Sequence, residues 1–352
     1  LIGLDYSVDE DFSFFQPGGN DHFLQFFFKS LRDEYWELDD WDRYNLLLME
    51  FSAELGIDFV LDEDASFATL IQKNPKGMKT VQAVMDLRDD FLVIVYYFGE
   101  SKVCSKLNQT LSLASSLQPC FISSCILSEI AHNLERITVI DYNFEQLPSM
   151  FSEPVTMRGT IKGNPAHDAY FENSERCGSF FNVNLIAGHM INGAQGTMLF
   201  HSNGIVQVDA CRLSSFLEMT NILYIALKEK YENLLTNYVI GWETVPGNRF
   251  LKYNGSQLEI SFQKQVDKLE GLLRFLTKGD ATIRLFGISE RISRRMWSVK
   301  SIDLDNGRSI EFEVSDCMIR VFLKDRNSIP LLDKVECFLR QHISARLEIS
   351  SY

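Results

Sequence analysis

Apolar positions in the first 60 residues recur at helical spacing. Phe23, Phe27, Leu31 and Tyr35 repeat every four residues, so residues 21–36 predict a helix. Residues 41–55, WDRYNLLLMEFSAEL, predict a second helix, with Asp40 as N-cap and Gly56 as C-cap. Trp41, Leu48 and Phe51 would face its core. Glu34, Glu37, Asp39, Asp40 and Asp42 gather at the junction of the two and read as helix ends and caps. Further on the period changes. In residues 79–98, Val, Ile and aromatics flank the polar turn Arg88-Asp89-Asp90, which predicts a β-hairpin. Residues 101–117 return to helix through Val103, Leu107 and Leu111.

This order of strands and then helix occurs twice more. Residues 179–187 read as a strand and 188–196 as a loop. Two strands, 197–201 and 205–209, flank Ser202-Asn203-Gly204, and a long helix follows over 213–235. Near the C-terminus, strands at about 298–304, 309–314 and 317–323 surround the turn Asp305-Asn306-Gly307-Arg308. A helix over 328–343 follows, with Ser328 as cap and Pro330 in its first turn. Residues 258–277 add one strand and one helix. The pattern predicts an α+β protein: antiparallel sheets backed by helices, in repeated units of strand meander plus helix, after a helical acidic N-terminal segment. Length and pattern together suggest an acidic α+β domain over 1–150, a lobe over 151–240 and a second α+β lobe over 241–352.

Charge sharpens that division. The net charge of -14 is uneven: residues 1–150 hold 25 acidic and 10 basic residues, and 151–352 hold 23 and 24. The acidic part repels phosphate backbones and suits basic protein partners or simple solubility. The seven cysteines are scattered, with no C-x-x-C pair, which argues against a disulfide framework or a zinc site. Their setting among apolar residues suggests small core residues in a reducing, intracellular compartment, be it nucleus, cytoplasm or virion. No apolar run reaches the roughly 18–20 residues of a membrane span, no signal peptide is recognisable, and Leu1 in first place is compatible with residues upstream.

Candidate chemistry is sparse. Residues 264–300 are basic, and Arg291, Arg294, Arg295 and Lys300 beside Trp297 could meet nucleic acid or an acidic partner. The plainer readings are a solvated helix face, or a patch that meets the acidic N-terminal region. Asp58, Asp62, Glu63 and Asp64 at a strand end could hold Mg²⁺ for a metal-dependent nuclease, or could be an acidic loop. His167, Asp168 and Glu172 lie in GNPAHDAYFENSE, which reads as a polar surface loop. No phosphate-loop, dinucleotide or nucleophile-elbow motif is present, and no cofactor or resident metal is expected.

Phe180-Phe181-Asn182-Val183, Leu199-Phe200, Asn203-Gly204 and Val206-Gln207-Val208 give residues 179–235 a wording that resembles the TATA-binding-protein-like lobes of large DNA viruses, with a looser echo at 298–343. The resemblance implies curved antiparallel sheets backed by helices and a transcription-related role. Two departures change what it implies. Ile205 stands where DNA-binding lobes carry a basic residue, and Val208-Asp209 where they carry a small Thr-Gly pair. The expected function is therefore a non-enzymatic scaffold or adaptor subunit with protein partners. Nucleic acid would be met through residues 264–300 if at all, and no membrane is expected. The alternatives are the nuclease and a peptide- or ligand-binding module using a sheet face at Phe181, Val206 and Val208.

Overall fold

A computed structural model describes residues 22–29, 38–55, 58–73, 79–97, 101–112, 114, 116–190, 197–209, 213–239, 241–244, 251–254, 256–280, 283–304 and 307–351. The chain opens with β1 (His22–Lys29), α1 (Asp40–Leu55), β2 (Asp58–Leu61), β3 (Phe67–Lys73), β4 (Lys79–Asp86), β5 (Leu92–Tyr97) and α2 (Ser101–Leu111). Next come β6 (Leu117–Pro119), α3 (Ser124–His132), β7 (Leu134–Glu145), β8 (Thr156–Lys162) and α4 (Pro165–Arg176). These lead to β9 (Val183–Met190), β10 (Thr197–His201), β11 (Ile205–Asp209) and the long α5 (Leu213–Asn237). A small hairpin, β12 (Gly241–Thr244) with β13 (Leu251–Asn254), precedes β14 (Leu258–Phe262) and α6 (Leu269–Lys278). The chain closes with β15 (Leu285–Arg291), β16 (Trp297–Asp303), β17 (Ser309–Val314), β18 (Met318–Phe322), α7 (Ile329–His342) and β19 (Leu347–Ser351). The fold is α+β, with antiparallel sheets and helices packed on them.

Two compact units divide it, each built from two segments: residues 1–139 with 185–228, and residues 140–184 with 229–352. In the first unit the strands run β2-β3-β4-β5-β1-β11-β10-β9, with β6 also on β1. Residues 21–36 are not a helix where described, because 22–29 form strand β1 between β5 and β11. The physical reason is burial on both faces. Leu24 through Lys29 are all buried, so the apolar run carries no alternation and its four-residue spacing is accidental. β5, LVIVYY, is buried at all six positions for the same reason. One face of these strands forms a core with α1 and α2 through Phe27, Val93, Val95, Tyr44, Leu47, Phe51 and Leu111.

The second unit holds a six-stranded sheet in the order β15-β16-β17-β18-β14-β19. Its first seven elements from β14 repeat those of the first unit from β1: strand, helix, four-strand meander, helix. The strand order also repeats, since β2-β3-β4-β5-β1 corresponds to β15-β16-β17-β18-β14. Each meander ends beside the strand that began the unit, which leaves the meander's first strand at an edge.

Candidate interaction surface

Period-2 alternation assigns the two faces of the six-stranded sheet. Leu258, Ile260, Phe262, Leu285, Val299, Ser301, Asp303, Ile310, Phe312, Val314, Ile319 and Val321 are buried, on the side where α6 and α7 pack. The Ser301 hydroxyl donates to the Leu276 carbonyl of α6, and Lys334 of α7 reaches Asp303 at 2.7 Å. The other face is open. Its middle carries ion pairs: Arg320 with Glu259 at 3.2 Å and Glu313 at 3.5 Å, and Glu311 with Lys324 at 2.6 Å and Lys300 at 3.4 Å. Burial works against the Glu311 carboxylate, yet Lys324 and Lys300 hold it below its ordinary value.

Toward β15 the open face turns apolar. Phe286 is 63% exposed, Ile288 66%, Ile302 43% and Leu304 51%. Phe286 stands directly across from Ile302. Sequence reasoning did not single these residues out, because an apolar residue every second position in a strand reads equally well as core; only their pairing partners reveal the open side.

The predicted basic residues lie at the end of this hairpin and not on a helix face. Arg291 closes the β15–β16 turn by donating to the carbonyls of Ser293 at 3.1 Å and Arg294 at 2.9 Å. Arg294 and Arg295 are exposed at the tip. Trp297 pairs with Arg291 in register and is half-buried on the helix-bearing side. Lys300 lies on the opposite face with Glu311, so the five residues form a three-arginine tip with Trp297 behind it and a separate lysine.

The other predicted positions resolve differently. Phe181 and Val206 are buried, at 5% and 1% exposure, and so line no solvent-exposed sheet face. Phe181 packs on Tyr142 and Tyr170, with ring centroids 5.3 and 6.0 Å apart. Val208 pairs with His22 and Met198 in register, and its side chain lies outside the described residues. The Asn203-Gly204 turn has φ of +82° at Gly204, and Gln25 of β1 donates to the Asn203 carbonyl at 2.6 Å. The hairpin thus joins β1 in the interior of its sheet, and Ile205 packs against the first unit's core.

The acidic stretch after β2 is a turn. Asp62 Oδ1 accepts from the Ser66 and Phe67 amides at 2.7 and 2.9 Å. Among the described residues no group of three or more His, Cys, Asp or Glu side chains is placed to hold a metal ion. Residues 165–176 form α4 and not a loop: Pro165 starts the helix and Ala166 and Tyr170, one turn apart, are its buried stripe. His167 there meets the Phe171 ring edge-on.

Two clusters of buried charge were not foreseen. In the first unit Lys29 is fully buried and donates to the Leu87 carbonyl at 2.8 Å and the Tyr44 hydroxyl at 3.0 Å. Burial lowers its pKa to about 8 against the pull of Asp89, Asp90 and Asp86, and raises the Tyr44 phenol to about 12. In the second unit Lys230 of α5 bridges Asp333 at 2.7 Å and Glu336 at 3.3 Å on α7, and Arg340 holds Glu336 at 2.7 Å. Burial pushes Asp333 up. It would do the same to Glu336, but Lys230 and Arg340 outweigh it and bring that carboxyl to about 2. Both clusters are buried, and each ties a helix to its neighbours. A shallow hollow of about 460 Å³ between α1 and β2 is lined by Asn45, Leu48, Met49, Ser52, Ala53, Phe59 and Leu61, with no titratable group.

Among known proteins, residues 212–351 match the model of a family described as MJECL33-like protein. The matched span runs from α5 to β19 and so takes in the whole six-stranded sheet with its open face. No curated protein matches the chain. Among the described residues no helix is long and apolar enough to cross a membrane.

Proposed function

We propose that this protein is a non-enzymatic scaffold or adaptor subunit whose two related sheet units bind other proteins, in the manner of a transcription-related TATA-binding-protein-like factor with its nucleic-acid face altered. One observation carries the reading. The same seven-element order recurs in both halves, and the second copy leaves one sheet face open beside an exposed apolar corner. That is the anatomy of a binding platform. Ile205 turned toward the core, in place of a basic residue, favours protein over phosphate as the partner. So does the open face of the second unit, where Glu259, Glu311 and Glu313 pair with Arg320, Lys324 and Lys300 and so offset the cations a phosphate backbone would seek.

A second reading, direct DNA binding, rests on the arginine tip. Fluorescence anisotropy of labelled duplex DNA with the intact chain, over a salt series, separates the two. The scaffold reading expects no saturable binding near physiological ionic strength. Saturable binding with a steep salt slope, of roughly 0.9 per phosphate contact, that collapses in R291E/R294E/R295E would replace it with the DNA reading.

A further inference from the structure

The exposed apolar corner borders an unpaired strand edge. Leu304 donates its amide to the Arg284 carbonyl at 2.9 Å, so Arg284 and Leu304 form a hydrogen-bonded pair. Antiparallel ladders alternate, which puts Phe286, Ile288 and Glu290 in bonded pairs with Ile302, Lys300 and Ser298. The Ile292 amide bonds back across the turn to the Met296 carbonyl at 3.0 Å, in the same phase. Gly287, Ser289 and Arg291 therefore direct their N–H and C=O groups away from β16. Among the described residues no strand pairs with that side of β15. Only its beginning is closed, where the Asp280 amide bonds the Ile283 carbonyl at 2.9 Å after α6.

We infer that the β15 edge from Gly287 to Arg291 is a docking site for an extended acidic protein segment, which adds to the sheet as a further strand. The inference rests on the scaffold reading and names the partner's chemistry. An added strand would complete the main-chain hydrogen bonds of Gly287, Ser289 and Arg291. Its alternate side chains on the open face would lie beside Phe286 and Ile288 and cover apolar surface now in water. Past Arg291 the same segment meets Arg294 and Arg295. Between residues 283 and 302 the basic residues are Arg284, Arg291, Arg294, Arg295 and Lys300, against the single acid Glu290. Acidic residues on the segment's end at that tip match this charge.

Charge and chemistry exclude the other occupants. A nucleic acid would leave the strand's amides and carbonyls unpaired and Phe286 and Ile288 facing a phosphate backbone. A second copy of β15 would bring one cationic edge against another. Edges are ordinarily blunted by lysine, proline, bulges or shortness. β15 has seven residues, no lysine and no proline, and it exposes the apolar side chains of Phe286 and Ile288.

The probe is a fluorescein-labelled peptide of alternating valine and threonine with a run of aspartates at one end, titrated into the intact chain. A second peptide has the same sequence with alternate amides N-methylated, and labelled duplex DNA is the third arm. Ser289→Pro removes one outward amide without touching the β16 ladder, since proline is tolerated on an outer edge. Saturable binding of the first peptide is expected, with at least about tenfold weakening by N-methylation, which removes two or three main-chain hydrogen bonds, and about threefold to tenfold weakening by S289P, which removes one. R294E/R295E should weaken binding by a similar factor and flatten its salt dependence. I288T, which leaves backbone and charge intact, should weaken it about threefold to tenfold. Circular dichroism melts of each variant show whether the fold persists; if S289P unfolds, N-methylation of the peptide carries the same test. Binding unaffected by N-methylation, no peptide binding, or self-association abolished by S289P would each overturn the inference. If DNA binds tightly and the peptide does not, the scaffold reading falls as well. If neither binds, the scaffold reading stands and this site does not.

Discussion

Lys29 should make the first unit more stable in mild alkali than at neutrality. Its ammonium is fully buried, with the Tyr44 hydroxyl and the Leu87 carbonyl as partners, and its pKa falls to about 8 from an ordinary 10.5. Below pH 8 the lysine is protonated in folded and unfolded chains alike, and the folded state bears the full cost of a poorly solvated charge. Between about 8 and 10.5 the folded protein has lost that proton while the unfolded chain keeps it. Stability then rises with pH because the unfolded state binds more protons, at about 1.4 kcal/mol per pH unit for one group. The full displacement of roughly 2.5 units corresponds to about 3 kcal/mol.

Another group acts in the opposite sense. The Cys337 thiol is raised by burial to about 12, so an unfolded chain ionises it first and stability declines above pH 9. Tyr44 adds a similar decline above 10. The measurement is therefore a difference: denaturant unfolding of wild type and Lys29→Met from pH 7 to 9.5, with Cys337 common to both. Lys29→Met removes the donor to the Leu87 carbonyl and one of the partners of the Tyr44 hydroxyl, a cost of about 1–3 kcal/mol that is independent of pH in this range. On top of that constant, the wild-type advantage should grow by about 2 kcal/mol between pH 8 and 9.5. Parallel stability curves for the two proteins would show that Lys29 ionises normally and would refute the reasoning.

In the second unit, Lys230→Met removes the cation that bridges buried Asp333 and Glu336, and should cost about 3–5 kcal/mol in denaturant unfolding at pH 7; a loss under 1 kcal/mol would mean the cluster is hydrated. Glu336, held near 2 in the fold, contributes stability that is complete above its unfolded pKa and is lost as pH falls from about 4.5 toward 2, while Asp333, raised, opposes it. In Glu336→Gln that acid-side loss should flatten, as read by urea midpoints from pH 5 to 2.5. Gly279 ends α6 with φ of +69°, and a Cβ there would collide with the Ile283 carbonyl oxygen. Gly279→Ala should cost about 3 kcal/mol or more and lower the melting temperature by several degrees, and an unchanged melt would refute that turn geometry.

Where the sequence was legible, local signals agreed with one another. Strands 197–201 and 205–209 were read to the residue, because an Asn-Gly turn fixed the register and polar residues alternated on both sides. The C-terminal meander and α7 were legible for the same reason. β1 was not, since HFLQFFFK is buried on both faces and even Lys29 lies inside, so no period survives. α4 was missed because only Ala166 and Tyr170 of its twelve residues are buried, too few to show a stripe. The site was half legible. Composition pointed to Arg291, Arg294 and Arg295. It could not place them at a hairpin tip beside exposed Phe286 and Ile288, because exposure on the open sheet face depends on strand pairings that lie elsewhere in the chain.

The two copies of the seven-element unit treat the same edge differently, and that contrast supports the proposed docking edge. Topology forces the first strand of each meander to an edge. In the first unit this is β2, only four residues long, carrying Asp58, and paired with β3, whose own register with β4 shifts at Leu70/Ile71. Shortness, a charge and an irregularity one strand in are recognised ways of blunting an edge. In the second unit it is β15, seven residues long, paired in unbroken register to β16 and exposing Phe286 and Ile288. An edge of this length and composition would invite aggregation if nothing occupied it. Stability alone gives no reason to leave it bare, because burying Phe286 and Ile288 would be favourable by about 1.5–3 kcal/mol each. A strand kept open against that gradient, and ending in three arginines that make no ion pair among the described residues, is best explained by a partner that closes it.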